Sequence, residues 1–430
     1  MDLGPNNPHG KPIKHAAMLP STPSPPSRSR PPASAAGLRD GQPTDDVLLV
    51  DIPSSLSSPP FLRRESSVPL VTKPYSVVEP KSRVPFDQGL VDRHEQKKQW
   101  MHHGLLALQD MFGSCFPLRV DDARPLEIDT DEQPEESILN NVEEPNLLMF
   151  QENLSSVLRM YDHDAGVITD LTDASLHALS LIDVYGTVYF NSLPYWLTLK
   201  ITIDKNYEYI IPPKAAFLLG PFSQTLPLFG AFSESSNPSA FDFILLDPPW
   251  PNRSAHRAKH QNSYKTSTFD VYDLFKLKVS GHLRRDGVLA IWITNNSKWR
   301  KFVFEKLFPA WKVQMVAEWF WVKITTNGEP LFDLENIARK PYESLILAIP
   351  IPSPKLRPLL SNPDQPQLTD KLIFATPDIH SRKPCLKGLI DPYLSSPDPR
   401  CCEIFARNLT EGWFSWGNEV LKGNWRGCWT

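Results

Sequence analysis

The part of the sequence with the clearest chemical content is an apolar run that ends in an aspartate, two prolines and a tryptophan. The run, Phe241–Leu246, has the composition of a strand buried on both faces of a parallel sheet. Asp247 follows it, and Pro248 and Pro249 then fix the backbone, because a proline ring locks φ and provides no N–H for a ladder. We therefore expect the Asp247 carboxylate and the Pro248 carbonyl to form a rigid pair of hydrogen-bond acceptors.

Such a pair of acceptors suits a ligand with two N–H donors, for example the exocyclic amine of a base. In open α/β sheets ligands bind beyond the carboxyl ends of the strands, which is where Asp247 falls. Trp250 adds a flat ring on which a heterocycle can stack. A simpler interpretation is a turn that Asp247 initiates and a tryptophan that fills the edge of the core. The apolar strand before the motif and the aromatic residue after it favour the catalytic interpretation.

Composition limits the classes of protein to which the chain can belong. It has 430 residues, of which 41% are hydrophobic and 22% charged, with a formal net charge of −4. These values are typical of a globular protein, and they restrict any nucleic-acid-binding charge to a local surface. Five cysteines occur without a Cys-x-x-Cys pair, which argues against structural zinc and for a reducing compartment. Because the sequence contains neither a membrane-length apolar run nor a recognisable signal peptide, we expect no membrane association.

Several common enzyme motifs are missing from the sequence. It contains no Gly-x-Gly spacing, no P-loop, no Gly-x-Ser-x-Gly elbow, and no His/Cys cluster at metal-ligand spacing. Hydride-transfer chemistry on a dinucleotide is therefore not indicated, and we expect no metal. The remaining possibility is chemistry that one carboxylate and a bound cosubstrate can perform.

The sequence divides by composition into three regions. Residues 1–85 are rich in proline, serine and basic residues, and we predict a disordered tail without effect on stability, interrupted by the apolar Val47–Val50. Residues 86–209 combine a helix predicted over Gln88–Met111 with short strand-like runs, which predicts a small α+β region without recognisable chemistry. Residues 210–430 alternate strands with helices, which predicts a mostly parallel, doubly wound α/β sheet.

In this last region the patterns predict individual elements. Strands are predicted over Phe241–Leu246, Gly287–Thr294, Val313–Ile324, Tyr342–Ile349, Leu372–Ala375 and Cys401–Ala406, the last of these being the final strand. Helices are predicted over Val271–Arg284, Ser297–Leu307 and Pro384–Tyr393.

A basic cluster directly follows the Asp-Pro-Pro-Trp motif. By itself it is best explained as a solvated loop. Beside a base-binding pocket it would contact phosphates, which position a nucleic acid without reading its sequence. The predicted nucleic-acid-binding residues are Arg253, Arg257, Lys259, Trp319, Trp321 and Lys323.

The sequence resembles the MT-A family of S-adenosylmethionine-dependent adenine-N6 methyltransferases. Asp-Pro-Pro-Trp is the signature of that family, and further segments recur in the same order in its methyltransferase-like protein 4 branch. These segments are Val316–Thr325, Lys340–Glu343, His380–Pro384, Phe405–Asn408 and Gly412–Glu419. The likeness covers roughly residues 210–425. Two departures, Arg382 for a histidine and Ala338 for a basic residue, do not affect the implied catalytic acceptor.

The resemblance implies a permuted Rossmann-like methyltransferase sheet in which the catalytic half precedes the main cofactor half. It implies S-adenosylmethionine as the cofactor and Asp247, Pro248, Pro249 and Trp250 as the catalytic motif. The implied cofactor-binding residues are Ile211, Asp247, Lys383, Arg407, Asn408, Asn418 and Glu419. Among them, Lys383 would pair with the methionine carboxylate, and the Arg-Asn and Asn-Glu pairs would hold the ribose and nearby groups. Surface solvation of Lys383 and Arg407, and a capped turn at Asn418 and Glu419, are the simpler alternatives.

The reaction implied by the resemblance is methyl transfer to N6 of adenine in single-stranded or flipped-out nucleic acid. RNA is the expected substrate, particularly 2′-O-methyladenosine in small nuclear RNA such as U2. DNA adenine, or a role as a catalytically silent RNA-binding partner of another methyltransferase, are the alternatives. We expect a location in the nucleus, alone or together with the cytoplasm, and no obligate protein partner.

Overall fold

The structure, a computed structural model, describes most of the region predicted to carry the chemistry. The described residues are 46–50, 52, 71, 73–75, 88–112, 168–171, 178–203, 205–235, 241–251, 269–337, 339–351, 366–377 and 382–429. All of them belong to one compact unit. No helix among them is long and apolar enough to cross a membrane.

The described residues form two sheets. Their strands are β1 (Val47–Leu49), β2 (Ile168–Asp170), β3 (Leu179–Ser180), β4 (Val188–Phe190), β5 (Leu197–Thr202), β6 (Asn206–Ile211), β7 (Ala216–Leu219), β8 (Phe241–Leu246), β9 (Leu283–Ile293), β10 (Val313–Lys323), β11 (Tyr342–Pro350), β12 (Lys371–Ala375), β13 (Cys401–Ile404) and β14 (Trp413–Gly417). The larger sheet has eleven strands in the order β1-β12-β10-β11-β9-β8-β13-β14-β7-β4-β2, and the smaller has the order β3-β5-β6.

Helical segments cover both faces of the larger sheet. The α-helices are α1 (Gln88–Phe112), α2 (Leu181–Val184), α3 (Phe222–Ser235), α4 (Val279–His282), α5 (Ser297–Phe302), α6 (Phe308–Trp311) and α7 (Lys387–Ile390). A π-helical segment, Val303–Leu307, joins α5 to α6, and Val271–Lys276 is a 3₁₀-helix. Aromatic side chains of α3 and α5 pack on one face of β8, and α7 packs on the other.

The larger sheet is mostly parallel, as predicted. Its neighbouring strands run parallel except in the pairs β10–β11, β11–β9 and β4–β7. Strand β8 lies between β9 and β13, and all of its side chains are buried. Because helices cover both faces, the strand is apolar apart from Asp242, a buried carboxylate that pairs with Arg284 and accepts the Arg400 N–H. A strand held on both edges and both faces gives the residue that follows it, Asp247, a fixed position.

Several predicted elements are confirmed and others are wrong in extent. The predicted helix over Gln88–Met111 is α1, and the long strands correspond to β9, β10 and β11. The helix predicted over Val271–Arg284 is instead a 3₁₀-helix, the short α4, and the start of β9, because Leu274, Leu277 and Val279 are all drawn into the core. The helix predicted over Pro384–Tyr393 contracts to α7 and a 3₁₀ turn. Strand β14 follows the strand that was predicted to be the last.

The predicted disordered tail contains an ordered strand. β1 pairs in parallel with β12, and Val47, Leu49, Val50 and Ile52 are all buried. The interpretation of Val47–Val50 as an apolar interruption in a disordered segment is therefore wrong. The strand receives its backbone partners from residues more than 300 positions away, so no local pattern announces it. Most of the remaining tail lies outside the described residues.

The middle region also differs from its prediction as a small domain before the catalytic one. β4 pairs with β7 and β2 pairs with β4, so this region extends the catalytic sheet itself. The predicted boundary between residues 209 and 210 falls inside β6. Side chains of β5 and β6 share a core cluster with Leu409 and Val420 from the last part of the chain. The two predicted regions therefore fold as one.

Candidate active site

Charged side chains from distant parts of the sequence meet at one edge of the larger sheet. β8, β10, β13 and β14 run in the same direction, so their carboxyl ends lie at the same edge. Asp247 follows β8, Lys323 ends β10, Arg407 comes shortly after β13, and Glu419 after β14. β11 is antiparallel, and Glu343 near its start therefore reaches this edge as well. Ligands bind at this edge in open α/β sheets.

Asp247 belongs to a chain of alternating charges. Its Oδ2 lies 3.5 Å from Nζ of Lys383, which lies 3.0 Å from Oε2 of Glu343. Oε1 of Glu343 lies 2.6 Å from Nζ of Lys323. The side chains are 16% to 27% exposed, so solvent screens these ion pairs only in part. Glu343 thereby holds two lysines and draws Lys383 more closely than Asp247 does.

The pKa values of these groups follow from burial and from the neighbouring charges. Burial raises the pKa of Asp247, and the positive charges of Lys383 and Arg407 oppose the rise. Burial also acts to raise the pKa of Glu343, but Lys383 and Lys323 outweigh it and hold that pKa well below its usual range. Burial lowers the pKa of Lys383, yet Asp247 and Glu343 together raise it overall. The arrangement therefore keeps Glu343 ionised and Lys383 protonated.

Glu403 is a site residue that the sequence analysis did not identify. It lies on β13 opposite Leu245 of β8, two residues before Asp247. Burial raises its pKa to about 8; the nearby Asp247 charge contributes and Lys383 opposes. At neutral pH this carboxyl is mostly protonated and can donate a hydrogen bond. Its one sequence signal is a charged residue inside the apolar strand Cys401–Ile404.

The turn after β8 has a defined hydrogen-bond pattern. The Asp247 N–H donates to the Ile404 carbonyl at 3.3 Å, which extends the pairing of β8 with β13 by one residue. The Trp250 N–H donates to the Pro248 carbonyl at 2.8 Å. A carbonyl oxygen has two lone pairs, so the Pro248 carbonyl retains one for a ligand.

Trp250 occupies the core instead of presenting an open ring. It is 7% exposed, and its Nε1–H donates to the Trp292 carbonyl at 2.7 Å. Its ring contacts that of Trp299, with centroids 5.9 Å apart. The described conformation therefore matches the simpler expectation of a tryptophan at the edge of the core. Only 7% of Trp250 is exposed, so in this conformation its ring offers a base almost no surface for the stacking that the sequence predicts.

A second group of residues surrounds Glu419. Its Oε1 lies 3.0 Å from Nζ of Lys422, and its Oε2 lies 3.2 Å from Nε of Arg407. Glu419 is 7% exposed, and within the described residues no hydrogen bond reaches Oε2, because the contact with Arg407 has the distance but not the direction of one. A buried carboxylate oxygen in this state can accept a hydroxyl donor from a ligand.

A narrow aromatic pocket lies between the ends of β13 and β14. Its cavity volume is only about 20 Å³ in this conformation, so it is a tight cleft that a ligand would have to widen. Its lining residues are Pro221, Phe222, Phe269, Ile404, Phe405, Trp416, Gly417 and Asn418. Gly417 is required where the two strand ends meet, since a Cβ there would lie 2.8 Å from the Ala406 carbonyl oxygen. Mostly apolar walls with a few polar groups at the rim fit a flat heterocycle.

One region of the chain matches a known protein family. Residues 241–419 match the MT-A70 family. The match includes Asp247, Glu343, Lys383, Arg407 and Glu419. This part of the chain is therefore similar to the MT-A70 family.

Several proteins similar to this chain have names that refer to adenine methylation. The chain is 35% identical over 283 residues to "N(6)-adenine-specific methyltransferase METTL4" of Mus musculus, covering 63% of this chain and 56% of the relative. It is 39% identical over 227 residues to "N6-methyladenosine RNA methyltransferase MTA1" of Cryphonectria parasitica, covering 52% of this chain and 63% of the relative. It is 31% identical over 216 residues to "DNA N6-methyl methyltransferase" of Caenorhabditis elegans, covering 49% and 53%. The chain thus spans about half the length of the curated relatives it matches.

Some of the predicted binding residues lie away from the site. Ile211 is fully buried at the end of β6 in the smaller sheet and does not line the aromatic pocket, so its role as a cofactor contact stays a prediction. Pro221, in the segment after β7, does line the pocket. The sequence stretch before the catalytic strand contains two apolar runs, and only the second of them belongs to the larger sheet.

The predicted nucleic-acid contacts are likewise corrected in part. Trp319 and Trp321 are 0% and 2% exposed in the middle of β10, where they cannot reach a ligand. An aromatic run of this kind is typical both of a stacking surface and of a core strand, and here it is the core strand. Lys323 does lie at the site edge, bound to Glu343. Arg253, Arg257 and Lys259 lie outside the described residues.

The chemistry of the remaining residues fits S-adenosylmethionine. The aromatic pocket suits its adenine, and Oε2 of Glu419, which accepts no hydrogen bond among the described residues, suits a ribose hydroxyl. Lys383 has three N–H donors, of which its two acidic neighbours use two, so one remains for a carboxylate. Asn418 lines the pocket, and Asn408 is half-buried beside Arg407.

Proposed function

We propose that this chain is an S-adenosylmethionine-dependent methyltransferase that methylates N6 of adenine in nucleic acid. The observation that carries the proposal is the position of the Asp247 carboxylate. It stands at the carboxyl end of the central strand, 3.5 Å from Lys383 and at the same edge as the aromatic pocket. The names of the relatives support the same chemistry.

Asp247 prepares the adenine amine for methylation. The amine nitrogen is a weak nucleophile because its lone pair is delocalised into the ring. A hydrogen bond from one N–H to the Asp247 carboxylate, and one from the other to the Pro248 carbonyl, favours a tetrahedral nitrogen and localises that lone pair. When bound, S-adenosylmethionine supplies a methyl group on a positively charged sulfur. The nitrogen acquires positive charge as it gains the methyl group, and the fixed carboxylate stabilises that charge.

Asp247 is also suited to receive the proton that the methylated nitrogen loses. Burial raises its pKa, which makes the carboxylate a better proton acceptor than an exposed aspartate. Lys383 opposes this rise and keeps the carboxylate ionised before the reaction. The longer Asp247–Lys383 distance, compared with 3.0 Å to Glu343, leaves the Asp247 oxygens accessible to the amine. Glu343 therefore contributes by holding Lys383 back.

The proposed substrate is RNA. Its proposed type is small nuclear RNA such as U2, and the proposed target nucleotide is 2′-O-methyladenosine. Two fungal relatives named as RNA methyltransferases are 39% and 38% identical to this chain, against 31% for the relative named for DNA. The target adenine must be unpaired or flipped out, because N6 is inaccessible to an enzyme inside a duplex. This substrate would place the protein in the nucleus.

A methylation assay with three substrates tests the proposal. The full chain is incubated with S-adenosylmethionine and a U2-like RNA containing 2′-O-methyladenosine, the same RNA without that methyl group, or single-stranded DNA. Mass spectrometry of the digested product then measures N6-methyladenine. We expect product from the first RNA in excess of the others. Preferential methylation of DNA would correct the substrate, and absence of product from all three would indicate a silent binding subunit.

Calorimetric titration with S-adenosylhomocysteine tests the cofactor residues separately. This product retains the carboxylate and ribose but lacks the transferable methyl group. A charge-assisted hydrogen bond contributes about 1.5–3 kcal/mol, so Lys383→Ala and Glu419→Ala should each weaken binding roughly tenfold or more. Lys387→Ala is the matched control, since its ammonium on α7 pairs with Asp391, which directly follows that helix. If Lys383→Ala and Glu419→Ala both bind like the parent chain, the cofactor is held elsewhere.

A further inference from the structure

A row of aromatic rings leads from the turn after β8 to the protein surface. Trp250 contacts Trp299 with centroids 5.9 Å apart, and Trp299 contacts Phe302 at 6.2 Å. Phe302 in turn contacts Tyr272 at 5.3 Å and Phe275 at 5.6 Å. The first three rings are at most 7% exposed, whereas Tyr272 is 58% and Phe275 39% exposed. The row thus begins at the catalytic motif and ends in two rings at the surface.

The local structure explains why these two rings face outward. Residues Val271–Lys276 form a 3₁₀-helix, which Asp270 caps by accepting the Tyr272 N–H. Val271 and Leu274 point into the core, so Tyr272 and Phe275 project from the other side. Both rings meet Phe302 edge to face, at interplanar angles of 81° and 78°.

The two rings form one surface rather than two isolated exposures. Their centroids lie 6.4 Å apart and their planes differ by 23°. Other large hydrophobic side chains, such as Tyr195 and Met315, are also exposed. Among the described residues these two do not pack against a second exposed ring, as Tyr272 does against Phe275. Phe302 is already buried, and its burial does not explain why the neighbouring Tyr272 ring remains 58% exposed. The pair therefore needs an explanation outside the fold.

The surroundings of the pair are basic on balance. Four exposed lysines lie on the same 3₁₀-helix, just after it, or on α5, which carries Phe302: Lys276, Lys278, Lys298 and Lys301. Asp273 pairs with Lys276 at 2.7 Å and neutralises one of them. Lys298 lies over the ring of Trp299, with Nζ 4.6 Å from the centroid. Aromatic rings with lysines between them are the usual components of a surface that binds single-stranded nucleic acid.

The pair is also connected to the aromatic pocket through the chain. Phe269 lines that pocket and contacts Phe405 at 5.0 Å. Tyr272 follows only three residues later. A strand whose target adenine lies at Asp247 would therefore pass close to these rings with its neighbouring bases. Since Trp250 is buried, stacking contacts for the strand must come from other side chains.

We propose that Tyr272 and Phe275 form a stacking platform for the bases that flank the target adenine. The proposal rests on the proposed function in that it takes single-stranded nucleic acid as the substrate. Stacking on an aromatic side chain depends little on the identity of the base, because every base has a flat face. The platform therefore adds affinity for an unpaired strand without selecting its flanking sequence.

Binding and kinetics of the double variant Tyr272→Ala/Phe275→Ala test the proposal. Fluorescence anisotropy with a labelled single-stranded oligonucleotide of about 15 bases should show at least roughly tenfold weaker binding, because stacking contributes about 1–3 kcal/mol per base. KM for the oligonucleotide should rise while kcat and S-adenosylhomocysteine affinity stay at the parent values. Tyr272→Phe should restore most of the lost affinity. Tyr195→Ala is the matched control, since Tyr195 is 56% exposed on another surface.

The outcomes separate the platform from the alternatives. The proposal is overturned if the double variant, with an unchanged melting temperature, binds the oligonucleotide like the parent chain or no worse than Tyr195→Ala. It is also overturned if the variant alters only the oligomeric state in size-exclusion chromatography, which would assign the rings to a protein interface. If the parent chain binds the strand through these rings but methylates no substrate, the platform stands and the proposed function fails.

Discussion

Replacing Glu343 by glutamine should reduce methyl transfer although Glu343 is not the proposed acceptor. Glutamine preserves the shape of the side chain but removes the charge that holds Lys383 at 3.0 Å and Lys323 at 2.6 Å. Lys383 then has Asp247 as its only anionic partner in the described network, and we expect it to move toward that carboxylate. The loss of one charge-assisted hydrogen bond is about 1.5–3 kcal/mol. If the Asp247–Lys383 ion pair becomes stronger by the same amount, the amine must overcome it to reach Asp247, and kcat falls about tenfold to a hundredfold.

Steady-state methylation kinetics with the best substrate measure this effect. Glu335→Gln is the matched control, because Glu335 pairs with Lys98 at 2.8 Å on the surface and away from the site. S-adenosylhomocysteine should bind Glu343→Gln more tightly than it binds Lys383→Ala, since the ammonium is still present. Parent values of kcat in Glu343→Gln would refute the argument that Glu343 keeps Lys383 away from Asp247.

Three further predictions concern the elements around the site. Removal of residues 1–52 should lower the melting temperature by several degrees and expose the edge of β12, whereas removal of residues 1–45, which spares β1, should not; equal melting temperatures would show that β1 contributes nothing. Gly417→Ala should weaken S-adenosylhomocysteine binding about tenfold or more, because the new Cβ would lie 2.8 Å from a backbone oxygen, while Gly388→Ala, with open space around it, should bind normally. Glu403 stabilises the fold while protonated, so its contribution is complete below pH 4.5 and is lost as the pH rises to about 8. Each pH unit in that window costs about 1.4 kcal/mol, and urea unfolding should show a flatter decline between pH 5 and 8 for Glu403→Gln than for the parent chain. Parallel declines would mean that Glu403 titrates normally.

The parts of the fold that the sequence predicts are those with strong local patterns. Phe241–Leu246 is apolar except for Asp242, and its strand and the position of Asp247 at its end follow directly. The same holds for the helical spacing of α1 and the long apolar runs of β9 and β11. In each case the pattern of neighbouring residues predicts that the element is buried. The direction of the parallel strands then predicts the edge of the sheet at which the polar side chains lie.

The features that escape prediction depend on contacts between distant residues. Glu343 pairs with Lys323 and Lys383, and no spacing in the sequence relates the three. β1 is ordered only because β12 offers it an edge. The tryptophans of β10 were assigned to nucleic acid because an aromatic run can line a groove or fill a core, and only the neighbouring strands decide between these. The raised pKa of Glu403 depends on burial beside β8, which composition does not reveal.

The role of Asp247 as the hydrogen-bond acceptor of the adenine amine can be tested directly by substitution. Asp247→Ala is compared with the parent chain for product formation on the best substrate, with S-adenosylhomocysteine titration of both as the test of an intact cofactor site. By analogy with the loss of one preorganised hydrogen-bonding group, the rate of N6-methyladenine formation should fall by about 10²–10³, while the affinity for S-adenosylhomocysteine changes less than in Lys383→Ala. Substantial methylation by Asp247→Ala would contradict the claim and move the acceptor to another residue at this edge of the sheet.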